Sequence, residues 1–409
     1  MRKAGLRGNL LVGQSGGPTA VVNASLAGVI EEAKRQAAVD DIYGVREGVL
    51  GLLEENLVDL RAESKQTLAG LISTPSAALG SCRKQLSDAD CARLQQVLQA
   101  HRIRFFLYIG GNDSADTSHR IGELAREAGW ELRVVGIPKT IDNDLEFTDH
   151  CPGYGSVARF NAIAVRGAGR DSEALRTVDQ VKIIETMGRN TGWIAAATAF
   201  AREREGDPPH LIYLPERAFE REDFLRQVTR VYEKGRGVVI AIGEGLKDES
   251  GAPIVSMRQP LGADSFGHKQ LGGVGQYLCD LIADRLGLKA RCDKPGTIQR
   301  AFSPAASATD LQEAKLVGEA AVRAAAAGES DKMVTLIRES NDPYRCTTGL
   351  APLEAVAHAE KKVPDEFISD EGNDITPAFL EYARPLLGGP LPSFVRLKLQ
   401  PVPRRLGPA

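Results

Sequence analysis

The sequence contains no CxxC pair and no histidine–cysteine group at zinc-binding spacing. Its six cysteines, Cys82, Cys91, Cys151, Cys279, Cys292 and Cys346, are scattered singly, which argues against a metal–thiolate centre and predicts reduced thiols in a cytoplasmic protein. No apolar run approaches the roughly 18 residues that cross a bilayer, and the basic residues at the amino terminus lead into no apolar signal segment. Neither membrane insertion nor secretion is expected. Neither sign of charge dominates: 51 Lys and Arg stand against 54 Asp and Glu, for a formal charge of −3. That balance argues against a general nucleic-acid coat and leaves room for a local cationic cluster that holds a small anion. Two nucleotide-binding fingerprints are missing as well. Residues 13–18 read GQSGGP rather than GxGxxG, and no GxxxxGK(S/T) loop occurs, so neither a dinucleotide-binding dehydrogenase nor a P-loop enzyme fits.

What is present is size and alternation. With 409 residues, 43% of them hydrophobic and 26% charged, the chain can bury a large core and is expected to form two lobes. An apolar run at 8–12 breaks at the turn Gly16-Gly17-Pro18, and an amphipathic segment follows from about Val21. The same order recurs at 105–109, Gly110-Gly111 and the candidate helix caps Asn112, Asp113 and Ser114. A third apolar run, LRVVGIP at 132–138, leads into a polar stretch. Such alternation predicts an α/β fold, with parallel strands, helices on both faces and ligands gathered at the carboxyl ends of the strands. A long helical stretch after Gly153, then buried runs within 181–201, 210–216 and 237–246, predict a second α/β lobe. The stretch 247–273 reads as an insertion or long loop, uncommon enough to suggest function. The proline-bearing tail from about 361 is expected to end in loosely ordered residues.

The polar stretch after the third run is PKTIDND, 138–144. Aspartates are common in turns and helix caps, where they accept backbone N–H groups, and alone Asp142 and Asp144 would be read that way. Their place at a strand end, behind Lys139 and Thr140 and in the sheet that also offers Gly17 and Asn112-Asp113, favours chemistry instead. A carboxylate here can take a proton from a hydroxyl while phosphate is transferred to it.

Taken in order, SGGPTAVVNA at 15–24, GSCR at 80–83, GGNDS at 110–114, PKTIDND, ETMGR at 185–189, GEGL at 243–246 and GTIQR at 296–300 closely resemble the phosphofructokinase family. The resemblance implies two Rossmann-like lobes with the active site in the cleft between them, residues 1–153 with 299–348 binding the phosphoryl donor and 154–298 with 349–409 binding the sugar phosphate. It implies magnesium-dependent phosphorylation of the 1-hydroxyl of fructose 6-phosphate in a homodimer or homotetramer. Carried over by position, Asp142 is the general base and Thr140 touches the same substrate. Asn112 and Asp144 belong to the metal environment, Gly17 and Arg83 hold the donor phosphates, and Arg189 offsets charge on the transferring group. Met187, Gly188, Glu244, Thr297 and Arg300 line the sugar phosphate, with Arg291 reaching in from a neighbouring subunit.

The donor is read from two positions. ATP-using members usually carry glycine where this chain has Asp113 and Lys139. The resemblance is therefore to the pyrophosphate-dependent branch: Asp113 would set a carboxylate where the α-phosphate of ATP should lie, and Lys139 would neutralise the short donor. An ATP-dependent kinase and a non-catalytic regulatory subunit are the alternatives, and sedoheptulose 7-phosphate is a second possible acceptor. The chain departs from the pattern at Asn112, where many relatives have aspartate, and at Gln180 and Thr297, where many bacterial ATP-dependent relatives use arginine and histidine. A rebuilt 6-phosphate pocket is expected, with Lys182 or residues of 247–273 as replacements.

Overall fold

The computed structural model describes residues 6–235, 237–255 and 273–406. A seven-stranded sheet is built from β1 (Gly8–Gln14), β2 (Val39–Val45), β3 (Leu57–Asp59), β4 (Ile103–Gly110) and β5 (Arg133–Pro138). A four-stranded sheet follows from β6 (Val181–Thr186), β7 (Leu211–Tyr213), β8 (Val238–Gly243) and β9 (Ala290–Asp293), before β10 (Lys332–Asn341) and β11 (Tyr344–Pro352) return to the first. The strand orders are β11-β10-β5-β4-β1-β2-β3 and β7-β8-β6-β9. The second sheet is wholly parallel. In the first, only the edge pairs β2/β3 and β10/β11 are antiparallel.

The central strands read as unbroken apolar runs because both faces of the sheet are covered. Every residue of β1 is buried. Leu10 and Val12 face the helices Val22–Ala33 and Ala308–Ala327, while Leu11 faces the helices Asp88–Ala100, Asn112–Glu127 and Leu353–Ala357. The first two of these helices approach closely at two glycines. A Cβ on Gly28 would meet the Lys315 carbonyl oxygen at 2.3 Å, and one on Gly318 would meet that of Ser25 at 2.1 Å. The second sheet is covered on one face by Arg221–Gly235 and Val274–Leu286, and on the other by Tyr154–Leu175, Trp193 and the tail residues Val363, Phe367, Phe379 and Leu386.

The expected lobe boundary at 348/349 falls inside β11, which pairs with β10 as far as Pro352. Leu353 and Val356 also pack in the first lobe's core, and the tail joins the second lobe's core only at Val363. Of the stretch 247–273, residues 256–272 lie outside the described residues. No helix among the described residues is long and apolar enough to cross a membrane.

Parallel register brings the important strand ends level. Gly110 of β4 lies beside Pro138 of β5, Gln14 of β1 beside Ile109, and Thr186 of β6 beside Gly243 of β8. The loops leaving these five strands line one cleft of about 430 Å³.

Candidate active site

One end of the cleft is cationic. Lys139, directly after β5, is only 4% exposed and donates to the Gly17 carbonyl at 2.8 Å. Arg300 reaches the same loop, its Nη1 3.0 Å from the point where a Gly17 Cβ would sit. Arg83 completes the group, and Asn112 and Asp113 join it from the first turn of the helix Asn112–Glu127. Burial, then the charges of Arg300 and Arg83, push the Lys139 ammonium down to about 8, against the pull of Asp142 and Asp144. Burial and Arg83 likewise lower Arg300. Cations that depress one another in this way are stabilised by an anion placed among them.

The turn after Lys139 carries the carboxylates. Asn143 adopts a left-handed backbone, φ 56°, a conformation that asparagine tolerates better than most residues. Its side chain fixes the turn by donating to the Tyr382 hydroxyl at 3.1 Å and accepting from the Cys151 N–H at 2.9 Å. The Asp142 N–H donates to the Thr140 hydroxyl oxygen at 3.1 Å. Asp142 Oδ1 is shielded from solvent and finds no partner among the described residues. Burial, followed by the charges of Asp144 and Glu244, raises the Asp142 carboxyl to about 7, although Arg189 and Lys139 oppose the shift. Burial also raises Asp144, while the Thr140 hydroxyl holds it down.

The far wall comes from the second lobe. Met187, Gly188 and Arg189 follow β6, and Glu244 follows β8. Gly188 has φ 119°, and a Cβ there would meet the Thr191 carbonyl oxygen at 2.5 Å, so the loop that presents Arg189 requires glycine. Arg189 Nε has no partner among the described residues and is shielded from water. Thr191 donates to the Asp142 carbonyl at 3.0 Å, tying this loop to the carboxylate turn.

The cleft therefore gathers Gly17, Arg83, Asn112, Asp113, Lys139, Thr140, Asp142, Asp144, Met187, Gly188, Arg189, Glu244 and Arg300. It does not gather Arg291, which pairs with Asp179 at 2.6 Å, nor Thr297, which is exposed on the short turn Gly296–Arg300. Gln180 accepts from the Lys289 N–H at 2.8 Å. Lys182 is held by Asp171 at 2.8 Å and Asp293 at 3.4 Å, and it does not line the cleft of the single chain. Ala357 and Glu360 do line the cleft, unheralded by any motif. Lys294, from the loop after β9, reaches Glu185 at 2.6 Å and Glu244 at 3.7 Å.

Asn112 donates to the Ala359 carbonyl at 2.9 Å, while its amide oxygen is shielded and unpartnered among the described residues. Among those residues, no group of three or more His, Cys, Asp or Glu is arranged to hold an ion. The Asn112 amide oxygen and the Asp144 carboxylate, both from residues that line the cleft, are oxygen donors of the kind that would fit magnesium.

A family model described as Phosphofructokinase matches residues 9–325. The chain is 42% identical to the pyrophosphate--fructose 6-phosphate 1-phosphotransferase of Xanthomonas campestris pv. campestris (strain B100), over 98% of both chains. It is 41% identical to the protein of the same name from Rhodospirillum rubrum, over 96% of this chain and 97% of that one. Among solved structures, the pyrophosphate-dependent phosphofructokinase from Marinobacter aquaeolei matches at a TM-score of 0.84 and 38% identity, over 98% of each chain. Matched by the family model over most of its length and end to end by relatives named for pyrophosphate, the chain belongs to the phosphofructokinase family.

Proposed function

We propose that the protein transfers a phosphoryl group from pyrophosphate to the 1-hydroxyl of fructose 6-phosphate, giving fructose 1,6-bisphosphate and phosphate, with magnesium bound between donor and carboxylates. The observation that carries this reading is the meeting, in one cleft, of the Asp142 carboxyl and Arg189 with the Lys139–Arg83–Arg300 cluster, the Asp142 carboxyl raised to about 7 by burial and by the charges of Asp144 and Glu244. The Asp142 carboxylate takes the proton of the 1-hydroxyl as the hydroxyl oxygen bonds to the transferring phosphorus. The bond from that phosphorus to the bridging oxygen breaks, and phosphate leaves toward the cationic end. Arg189 offsets charge spread over the transferring group, which is where positioned donors contribute most. Asp144 and Asn112 would hold magnesium or its waters, and the ion, when bound, supplies charge neutralisation across the phosphate oxygens.

Donor choice rests on Asp113 and Lys139. A carboxylate facing an additional phosphate at about 4 Å costs roughly 4 kcal/mol at an effective dielectric near 20, before relaxation. Half of that still separates the donors strongly. Because the phosphoanhydride of pyrophosphate lies closer in energy to the sugar bisphosphate than that of ATP does in cells, transfer in either direction is expected, seen as phosphate-dependent cleavage of fructose 1,6-bisphosphate.

The test is initial rate with fructose 6-phosphate and either pyrophosphate or ATP, with and without magnesium, for the wild type and Asp113→Gly. Activity with pyrophosphate alone, lost on chelation, and some ATP use gained by Asp113→Gly are the expected results. Wild-type activity with ATP would refute the donor assignment, and no transfer from either donor would refute the kinase itself.

A further inference from the structure

The carboxylate turn and the arginine-bearing loop come from different lobes, yet they are closed into a hydrogen-bonded ring. Thr191 Oγ1 donates to the Asp142 carbonyl at 3.0 Å. One residue on, the Gly192 N–H donates to Glu216 Oε1 at 2.9 Å, and the Val363 N–H donates to that same oxygen at 3.1 Å. Two residues before Val363, the Lys361 N–H donates to the Asp144 carbonyl at 2.8 Å, returning the ring to the turn where it began. Two further bonds brace it: Trp193 Nε1 to the Lys361 carbonyl at 3.1 Å, and Lys362 Nζ to the Asn190 carbonyl at 2.8 Å.

Only two side chains belong to the ring itself, Thr191 and Glu216; the other partners are backbone. Glu216 follows β7 and does not line the cleft. Its second oxygen is shielded and unpartnered among the described residues, and it lies 2.7 Å from the point where a Gly192 Cβ would sit. Glycine at 192 is thus what lets the carboxylate reach the backbone. A buried carboxylate oxygen spent on two amides from separate segments, while the other oxygen goes without, is costly to retain for packing alone.

We propose that Glu216 is a positioning residue for phosphoryl transfer, acting as the pin that holds the Arg189 loop and the 359–363 segment in fixed relation to the Asp142 turn. The proposal rests on the functional reading above. Releasing the pin lets Arg189 and Asp142 drift apart without altering either side chain. A displacement of about 1 Å between reacting groups can cost on the order of 100-fold in rate.

The test compares full-length Glu216→Gln and Glu216→Ala by steady-state kinetics with pyrophosphate and fructose 6-phosphate, and by amide hydrogen exchange without ligands. Glutamine keeps an oxygen that accepts both N–H groups; alanine does not. Glu216→Ala is expected to lower kcat by about 100-fold with both KM values little changed, while Glu216→Gln stays close to wild type. Exchange at 190–193 and 361–363 should rise in the alanine variant alone. Wild-type kcat in Glu216→Ala, equal losses in both variants, or a loss confined to KM would each overturn the proposal. Should Glu216→Ala fail to fold, Thr191→Val opens the same ring while keeping side-chain shape, and an unchanged kcat in that variant would overturn it too. Absence of pyrophosphate-dependent transfer in the wild type would sink the functional reading, while the exchange comparison would still decide whether the pin exists.

Discussion

Asp142 and Asp144 stand two residues apart and are given different surroundings because Asn143, between them, turns the backbone over. Asp142 keeps one shielded oxygen without a partner among the described residues, and Asp144 is held by the Thr140 hydroxyl. Asp142→Asn should lower kcat by about 100- to 10,000-fold, the usual worth of a positioned base, with KM for both substrates little altered. A raised carboxyl accepts a proton only above its own pKa, so kcat/KM should fall about tenfold per unit as pH drops below about 7. Lys139 works in the opposite sense. Its charge is lost as pH rises through about 8, so kcat/KM for pyrophosphate should decline on that side, and a pH profile without both limbs would contradict the two assignments. The residues 138–144 were legible in the sequence because one short peptide carries them. The alternation of strands and helices placed Gly17 in the same sheet as Lys139, but not the bond between them across 122 residues, which the β1/β4/β5 register fixes. Glu360 had no contiguous motif to announce it.

Among the elements, the strands that sequence reading finds most readily are those buried on both faces, β1, β4, β5, β6 and β8, because an uninterrupted apolar run leaves little else for them to be. β3 and β9 are short and half-exposed, and carry no comparable signal. The β10/β11 hairpin is buried at one end and alternates toward solvent at the other, so it reads as two unrelated segments. Tight helix packing was equally hidden. Gly28 and Gly318 lie 290 positions apart (318 − 28) and are needed together. Gly318→Ala would force the helices Val22–Ala33 and Ala308–Ala327 apart, an overpacking cost of about 1–3 kcal/mol. The expected outcome is a melting temperature several degrees lower with kcat at moderate temperature almost unchanged; an unaffected melting temperature would mean the helices can slide.

At the level of the molecule, the cleft holds Arg83, Lys139, Asp142, Arg189 and Arg300 but leaves Arg291 and Thr297 outside. The reading that Arg291 serves a neighbouring subunit predicts that Arg291→Ala raises KM for fructose 6-phosphate about tenfold or more while KM for pyrophosphate stays put. It predicts further that the protein sediments as more than one chain. A monomer with full activity would refute that reading. Such residues escape interpretation within a single chain because their partners would lie in another copy. The path of the chain has its own consequence: it builds part of the first lobe, then the second, returns for β10 and β11, and crosses once more to pack Phe367, Phe379 and Tyr382 around Trp193. A ribosome that has made the cleft's side chains through Arg300 has therefore not yet supplied the Ala359 carbonyl that accepts from Asn112, the Lys361 amide that donates to the Asp144 carbonyl or the tyrosine that accepts from Asn143. The cleft is therefore completed only by the final segment of translation, and a premature stop after residue 357 would remove Glu360 and the contacts to Asn112, Asn143 and Asp144 while leaving the Thr191–Asp142 and Lys139–Gly17 bonds in place.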